Sequence, residues 1–359
     1  MRFTAIILVI GMTGLTGLGM VTLSSAGLAK GGSQMLLEQV AFALVGLTLC
    51  GTLASIDYRS LKPWILPLWV LTLGLLVAVF FFDEVKGAHR WIRIGRIGFQ
   101  PSEVAKVVLI LLLAQYVEAH ARFMNTFHRG LLVPGLFIGL TLGLIFVEPD
   151  RGTTALMAGV TGAMLIASGV RGLYLVPVGV VGLAGFVGLL LVDPVRYKRI
   201  MGWLHPELYR ESSGYQAWQA MLALGAGGWN GVGLGEGRQK LGWVPEHQTD
   251  FIFSVVGEEL GLVATLLVLA TYVVMVVCGL AIAANARDTF GKFVAAGVSF
   301  LFGLQAFINI GVVTSVLPNK GIALPFVSKG GSNLVMMMAC VGLLLSVARL
   351  ARLRGEESS

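Results

Sequence analysis

Charge is scarce in this sequence. Asp, Glu, Lys and Arg make up 13% of its 359 residues, about half of the ~25% that soluble domains carry. Too few polar side chains remain to cover a soluble body, which excludes a soluble enzyme. Disorder is excluded too, since it needs low hydrophobicity and high net charge. Cysteine is scarcer still, with three in the chain. Cys50, Cys278 and Cys340 each lie inside an apolar run, without the close Cys or His spacing of a disulfide framework or a zinc site. They are expected to face lipid or pack against neighbouring helices. Nucleotide fingerprints are also lacking. The glycine-dense run from Gly225 to Gly237 has neither the βαβ context of a dinucleotide site nor the GxxxxGK[ST] of a P-loop. The formal charge of +7 is spread in short clusters between apolar runs, which argues against nucleic acid and for anionic lipid as a partner.

What the sequence has in abundance is apolar length. Apolar residues make up 56% of the chain, the mean hydropathy is +0.84, and runs long enough to cross a bilayer recur. They predict an all-α polytopic membrane protein with spans near 3–26, 35–56, 63–82, 100–120, 129–148, 153–170, 172–191, 251–283, 289–318 and 331–350. The first run exceeds the ~7–15 apolar residues of a cleaved signal and is expected to be an uncleaved anchor. The chain 1–359 is expected to be one membrane domain, with both termini on the cytoplasmic side. Arg59, Lys62, Arg122, Arg129, Arg171, Arg287, Lys292, Arg349, Arg352 and Arg354 then anchor the cytoplasmic ends. Residues 193–250 form a long extracytoplasmic loop between the seventh and eighth spans, and such loops in compact domains are usually functional. Within it, Tyr215, Trp218, Met221 and Leu222 recur at helical spacing, which suits either an interfacial helix or packing on the bundle.

By span parity, four polar segments share the outer face. The first holds His89, Arg90, Trp91, Arg93 and Arg96 in an interfacial hairpin or amphipathic stretch, and Gln100, Pro101, Ser102, Glu103 and Lys106 follow. Pro101 marks a helix start. Glu103 and Lys106, three apart within a span, are placed to pair with each other or to bind a polar ligand. The second segment is Glu148, Pro149, Asp150 and Arg151. The third is the long loop, where Arg238, Gln239 and Lys240 follow the glycines and Glu246, His247, Thr249 and Asp250 precede the next span. The glycine run either brings backbone N–H groups to a phosphate or sugar, or is a flexible connector. Asp250 is either a helix cap or a general base with a carboxylate at the membrane boundary. Glu258 and Glu259 lie further into that span and should face the bundle interior in an ion pair or hydrogen bond. The fourth segment carries Lys320, Ser328, Lys329 and Ser332 among turn formers.

Seven motifs in this order carry a specific resemblance. They are GlyAlaHisArgTrpIle at 87–92, GlnProSerGluValAlaLys at 100–106, GluProAspArgGlyThr at 148–153, GlyTyrGlnAlaTrpGln at 214–219, ProGluHisGlnThrAspPheIlePhe at 245–253, GlyGluGluLeuGly at 257–261 and LeuProPheValSerLysGlyGlySer at 324–332. Together they resemble the SEDS family (shape, elongation, division and sporulation). The resemblance implies a ten-helix peptidoglycan glycosyltransferase that polymerises lipid II, the undecaprenyl-diphosphate-linked disaccharide peptide, at the outer face of the bacterial cytoplasmic membrane. It implies a class B penicillin-binding protein as partner, with other membrane proteins of the division or elongation complex. The segments 233–241 and 317–322 look more like division and sporulation members than elongation members. Lys329 departs from the aromatic residue that many members carry there. Carried over by motif, the family's essential aspartate falls on Asp250, as base on the acceptor hydroxyl. Arg90, Arg93, Lys106, Arg238 and Lys240 are expected to contact the diphosphate. Trp91, Gln100, Ser102, Glu103, Asp150, Gln239, Glu246, His247, Thr249, Lys320, Ser328 and Ser332 are expected to line the substrate, and Glu148, Glu258 and Glu259 to shape the cavity. A divalent cation such as Mg or Mn would serve the leaving group as well as side chains do. Two other classes stay open at this point: a flippase for the lipid-linked precursor, and a non-catalytic scaffold for a penicillin-binding protein.

Overall fold

The computed structural model describes residues 1–27, 32–84, 88–95, 97–192, 194–205, 207–238, 240, 243–246 and 248–357. Helices stand at all ten apolar runs. The first seven are α1 (Arg2–Gly27), α2 (Gly32–Ser55), α3 (Lys62–Ala78), α4 (Pro101–His120), α5 (Val133–Val147), α6 (Arg151–Ala167) and α7 (Gly172–Val192). The long connection folds into α8 (Pro194–Leu204) and α9 (Tyr215–Gly227), and α10 (Ile252–Ala284), α11 (Thr289–Val313) and α12 (Gly331–Glu357) complete the chain. Among the described residues, eight helices are long and apolar enough to cross a membrane. Of the other two helices at predicted spans, α6 is 17 residues long and α7 packs on α6 and α8.

Boundaries moved where polar capping decides them. Pro101 begins α4 as expected, since a first-turn proline forfeits no intrahelical bond. Asp150 starts α6 two residues early by accepting the Thr153 N–H at 3.1 Å. The run to 318 stops as helix at Val313, because Ser315 takes a positive φ and the Leu317 N–H turns back to the Gly311 carbonyl. Between α3 and α4 the chain forms the expected hairpin, β1 (Ile92–Ile94) antiparallel to β2 (Ile97–Phe99), with Arg93 opposite Gly98.

The bundle has α4, α11 and α12 as its most buried helices. The helix pairs α2 with α12, α10 with α11, α4 with α11 and α1 with α10 pack closely around them. The three cysteines are free and buried between these helices. At the opposite end of the bundle from the hairpin, Asp288 caps α11 through the Gly291 N–H at 2.6 Å and accepts from Tyr58 and Arg59. Burial raises its carboxyl pKa, but the Gly291 N–H, Tyr58 and Arg59 outweigh that and hold it below the ordinary value.

The glycine-dense run is neither a connector nor a lining of the cavity described below. It is a backbone splint for a broken helix. Gly261 sits in α10 at φ 76°, where the helical ladder is interrupted. The carbonyls of Glu258 and Glu259 accept from the N–H groups of Val232 and Gly233 at 2.9 and 3.1 Å. The N–H groups of Leu262 and Val263 donate to the carbonyls of Gly228 and Trp229 at 2.9 and 3.3 Å. A continuous helix would pair those four groups with each other, and buried backbone must be paired by something. Contact this close needs glycine, since a Cβ on residue 231 would lie 2.2 Å from the Glu259 carbonyl oxygen. Helix α9 packs on α10 and α11, but through Ala217, Ala220, Ala223 and Gly227 and not through the expected Tyr215, Trp218, Met221 and Leu222, of which Leu222 is exposed.

Candidate active site

The polar segments of the hairpin, the 148–153 turn, the long loop and the 314–330 loop meet around one cavity of about 1160 Å³. Its lining includes Arg90, Trp91, Gln100, Glu103, Lys106, Asp150, Glu246, Thr249, Asp250 and Lys320, each expected from sequence. It also includes Arg151, Gln216, Asn319 and Asn333, which fall in the expected polar segments without a site role of their own, and Lys198, Arg199 and Gln305, which sequence reasoning passed over. Arg151 and the two loop cations look like ordinary turn and surface charges until the fold turns them inward. Gln305 and Asn333 carried a signal, since amides within apolar spans are costly unless they have partners.

Asp250 immediately precedes α10 but is not its cap, because Phe251 holds that position without a side-chain bond. Its backbone carbonyl accepts from Asn309 Nδ2 at 2.8 Å. Its carboxylate rests on the 321 turn, where a Cβ on Gly321 would stand 2.6 Å from Oδ2. The residues before it are docked in the same way. Thr249 O accepts from Ser328 Oγ at 2.5 Å, and Gln248 O accepts from the Lys329 N–H at 2.9 Å. Ser328 is therefore a brace for the loop and not part of the lining.

Glu103 and Lys106 pair with each other, as the three-residue spacing predicts. Their separation is 2.7 Å and both are buried. Asn333 donates to Glu103 at 3.0 Å, and Lys106 donates to Gln305 Oε1 at 3.1 Å. Asp150 accepts from Thr153 Oγ1 at 3.0 Å and from Gln100 Nε2 at 3.2 Å. Gln100 Nε2 also donates to Ser102 Oγ at 3.0 Å, and the Gln100 N–H donates to Ser332 Oγ at 3.1 Å. Ser102 and Ser332 thus join the hairpin, α4 and α12 behind the lining. Arg90 donates to the backbone carbonyls of Glu148 and Pro149, which ties the hairpin to the 148–150 turn.

Four expectations are corrected by position. Lys240 pairs with Glu259 at 2.6 Å and donates to Ser25 Oγ at 2.7 Å, all buried, so its charge is already neutralised away from the cavity. Arg238 is exposed, and its backbone N–H donates to Glu258 Oε1 at 2.8 Å. Arg93 is exposed on β1, outside the lining. Glu148 is buried behind the cavity wall, not on the lining. Glu258 and Glu259 also lie off the lining, and they face the bundle interior in the hydrogen bond and ion pair expected of them. Gln239 and His247 lie outside the described residues.

The cavity is electropositive. Arg90, Lys106, Arg151, Lys198, Arg199, Lys320 and Lys329 face Glu103, Asp150, Glu246 and Asp250 across it, and Glu103 already pairs with Lys106. Burial first, and then Arg151, Arg199 and Arg90, push the Lys320 ammonium down to about 8, with Asp150 opposing them. The Arg151 guanidinium lies 5.1 Å from the Phe146 ring centroid. Its Nε and Nη1 are buried and make no hydrogen bond among the described residues. Such a wall suits a ligand with more than one negative charge. No group of three His, Cys, Asp or Glu side chains among the described residues is arranged to hold a metal ion.

Comparison with known proteins places this geometry. A family model described as cell cycle protein, covering FtsW, RodA and SpoVE, matches residues 2–353. The chain is 40% identical over 321 residues to the "Probable peptidoglycan glycosyltransferase FtsW" of Geobacter sp. (strain M18), covering 89% of this chain and 87% of the relative. It is 40% identical over 319 residues to stage V sporulation protein E of Bacillus subtilis (strain 168), covering 88% and 87%. A chain of a solved peptidoglycan synthase complex superposes with a TM-score of 0.82 at 28% identity, over 96% of this chain and 97% of that one. The rod shape determining protein RodA of Thermus thermophilus superposes with a TM-score of 0.71 at 26% identity, over 95% of each chain. The chain belongs to the FtsW/RodA/SpoVE family of cell cycle proteins.

Proposed function

We propose that this protein is a peptidoglycan glycosyltransferase that polymerises lipid II at the outer face of the bacterial cytoplasmic membrane, with Asp250 as the general base. The observation that carries the reading is that Asp250 shares one cavity with Arg90, Arg151, Arg199 and Lys320. Sugar transfer from a lipid diphosphate needs these two things together. The acceptor 4-hydroxyl must lose a proton as its oxygen bonds to the anomeric carbon, and a carboxylate within hydrogen-bond reach takes it. The bond from that carbon to the diphosphate oxygen breaks, and the departing charge needs cations fixed in place rather than an obligatory acid. The cationic wall replaces the Arg238 and Lys240 contacts expected from sequence. With this cavity outward, both termini are cytoplasmic and the Asp288 network lies on the inner side. A class B penicillin-binding protein that crosslinks the new strand is the partner that family membership supports.

Purified protein with a transferase-free penicillin-binding partner, given lipid II, tests this. Native chain should yield glycan strands and Asp250→Asn should yield at least a hundredfold fewer, on the order of the effect of losing a general base. Strands undiminished in Asp250→Asn would refute the assignment of the base. Lipid movement across liposomes without polymer from the native chain would instead support a flippase.

A further inference from the structure

The backbone at Asp250 is held from α11 and from the 314–330 loop. Three successive carbonyls, those of Gln248, Thr249 and Asp250, each accept a hydrogen bond: from the Lys329 N–H at 2.9 Å, Ser328 Oγ at 2.5 Å and Asn309 Nδ2 at 2.8 Å. The same Asn309 Nδ2 donates a second bond to the Ile322 carbonyl at 2.7 Å. Asn309 therefore spans the gap between the Asp250 segment and the turn on which the Asp250 carboxylate rests. One helical turn earlier, Gln305 Nε2 donates to the Ala323 carbonyl at 2.9 Å, and its Oε1 receives Lys106. The two amides lie four apart on one face of α11, at 0% and 1% exposure. Both partners of Asn309 Nδ2 are carbonyls, and the amide nitrogen has the two hydrogens that satisfy them together without burying a charge. An apolar residue would avoid burying Oδ1, which makes no hydrogen bond among the described residues. The amide is kept there for what its nitrogen holds.

We propose that Asn309 is a positioning residue for the transfer reaction, fixing the distance between the Asp250 backbone and the 321–322 turn and so the direction of the Asp250 carboxylate. Gln305 fixes the far end of the same turn and connects it to the Glu103–Lys106 pair. The inference rests on Asp250 being the base, but it assigns a role to a residue that never touches substrate.

The test uses the full chain with its penicillin-binding partner and lipid II, in Asn309→Ala and Asn309→Ser. Turnover is expressed per mole of lipid II bound, so that misfolded protein does not count. Misplacing a catalytic group by about 1 Å costs on the order of a hundredfold. Asn309→Ala should therefore lose roughly that factor in kcat with KM within about twofold. Asn309→Ser keeps one donor and should fall between native and alanine. If the alanine variant does not fold, the serine variant decides by the same split. Native kcat in the folded variant overturns the proposal, as does a loss carried by KM alone. Full activity in Asp250→Asn is a separate result: it removes the base while leaving the measured effect of Asn309 to stand or fall by itself.

Discussion

Replacing Glu148 by glutamine should make the protein more stable at alkaline pH, although it removes a charge from a motif next to the active site. Glu148 is 0% exposed, and neither carboxylate oxygen has a hydrogen-bond partner among the described residues. Burial first, and then neighbouring Asp150, raise its pKa to about 8, while Arg90 opposes them. In the folded protein it is therefore a neutral acid at pH 7. In the unfolded chain it ionises in the ordinary carboxylate range, near 4.5. Because the folded pKa is the raised one, this group's contribution is fully present below the unfolded pKa. It is lost as pH rises toward 8, and is flat beyond. At ~1.4 kcal/mol per pH unit, the full loss between 4.5 and about 8 is about 5 kcal/mol. Glutamine has the same shape and no proton to lose. The thermal midpoints of native and Glu148→Gln protein in detergent, measured from pH 4.5 to 9, should diverge progressively up to pH 8, with glutamine the more stable, and then run parallel. Curves that stay parallel across the whole range would show that Glu148 is not held neutral, and would refute the reasoning from burial.

Three further outcomes follow from single contacts. Lys240→Met leaves the Glu259 carboxylate buried beside Ser25 without its cation, and should cost about 3–5 kcal/mol of stability, while adding Glu259→Gln should restore most of it; the thermal midpoint of the pair of variants checks this. Lys320 is charged below about 8 and neutral above, so kcat/KM for lipid II should fall as pH rises through 8. Lys320→Arg should abolish that alkaline fall; an unchanged profile in the arginine variant would remove Lys320 from diphosphate binding. Gly321→Ala sets a methyl group 2.6 Å from Asp250 Oδ2 and should lower kcat at least tenfold by displacing the carboxylate, with helical content and elution unchanged.

The ten helices were legible because bilayer length and apolar composition are properties of contiguous sequence. The Glu103–Lys106 pair was legible for a similar reason, since helical spacing brings residues three apart together. What stayed hidden depends on contacts between distant segments. The same Lys that looks like a diphosphate ligand at 240 is committed to Glu259, because Gly261 breaks α10 and lets the 228–240 loop lie against it. Conversely Arg151 looks like a turn residue after Pro149, and becomes part of the cationic wall because Asp150 starts α6 there. No local pattern separates the two cases.

Burial decides between them. A lysine sunk beside a carboxylate has its charge answered, so its removal harms the fold more than the chemistry. A guanidinium whose inner N–H groups lack partners beside an open cavity keeps its charge for a ligand. The same division holds for the carboxylates. Glu148 and Glu259 are silenced, one by protonation and one by Lys240. Asp250 is held by its backbone carbonyl and a glycine turn, which fix where it points and leave the carboxylate on the cavity lining. A membrane bundle with few charges thus commits Glu259 and Lys240 to each other inside the fold and leaves Asp250 on the lining of the cavity. That distinction makes Asn309 a sharper probe of the mechanism than any of the cavity cations, since its loss leaves every charge in place and changes only the aim of Asp250.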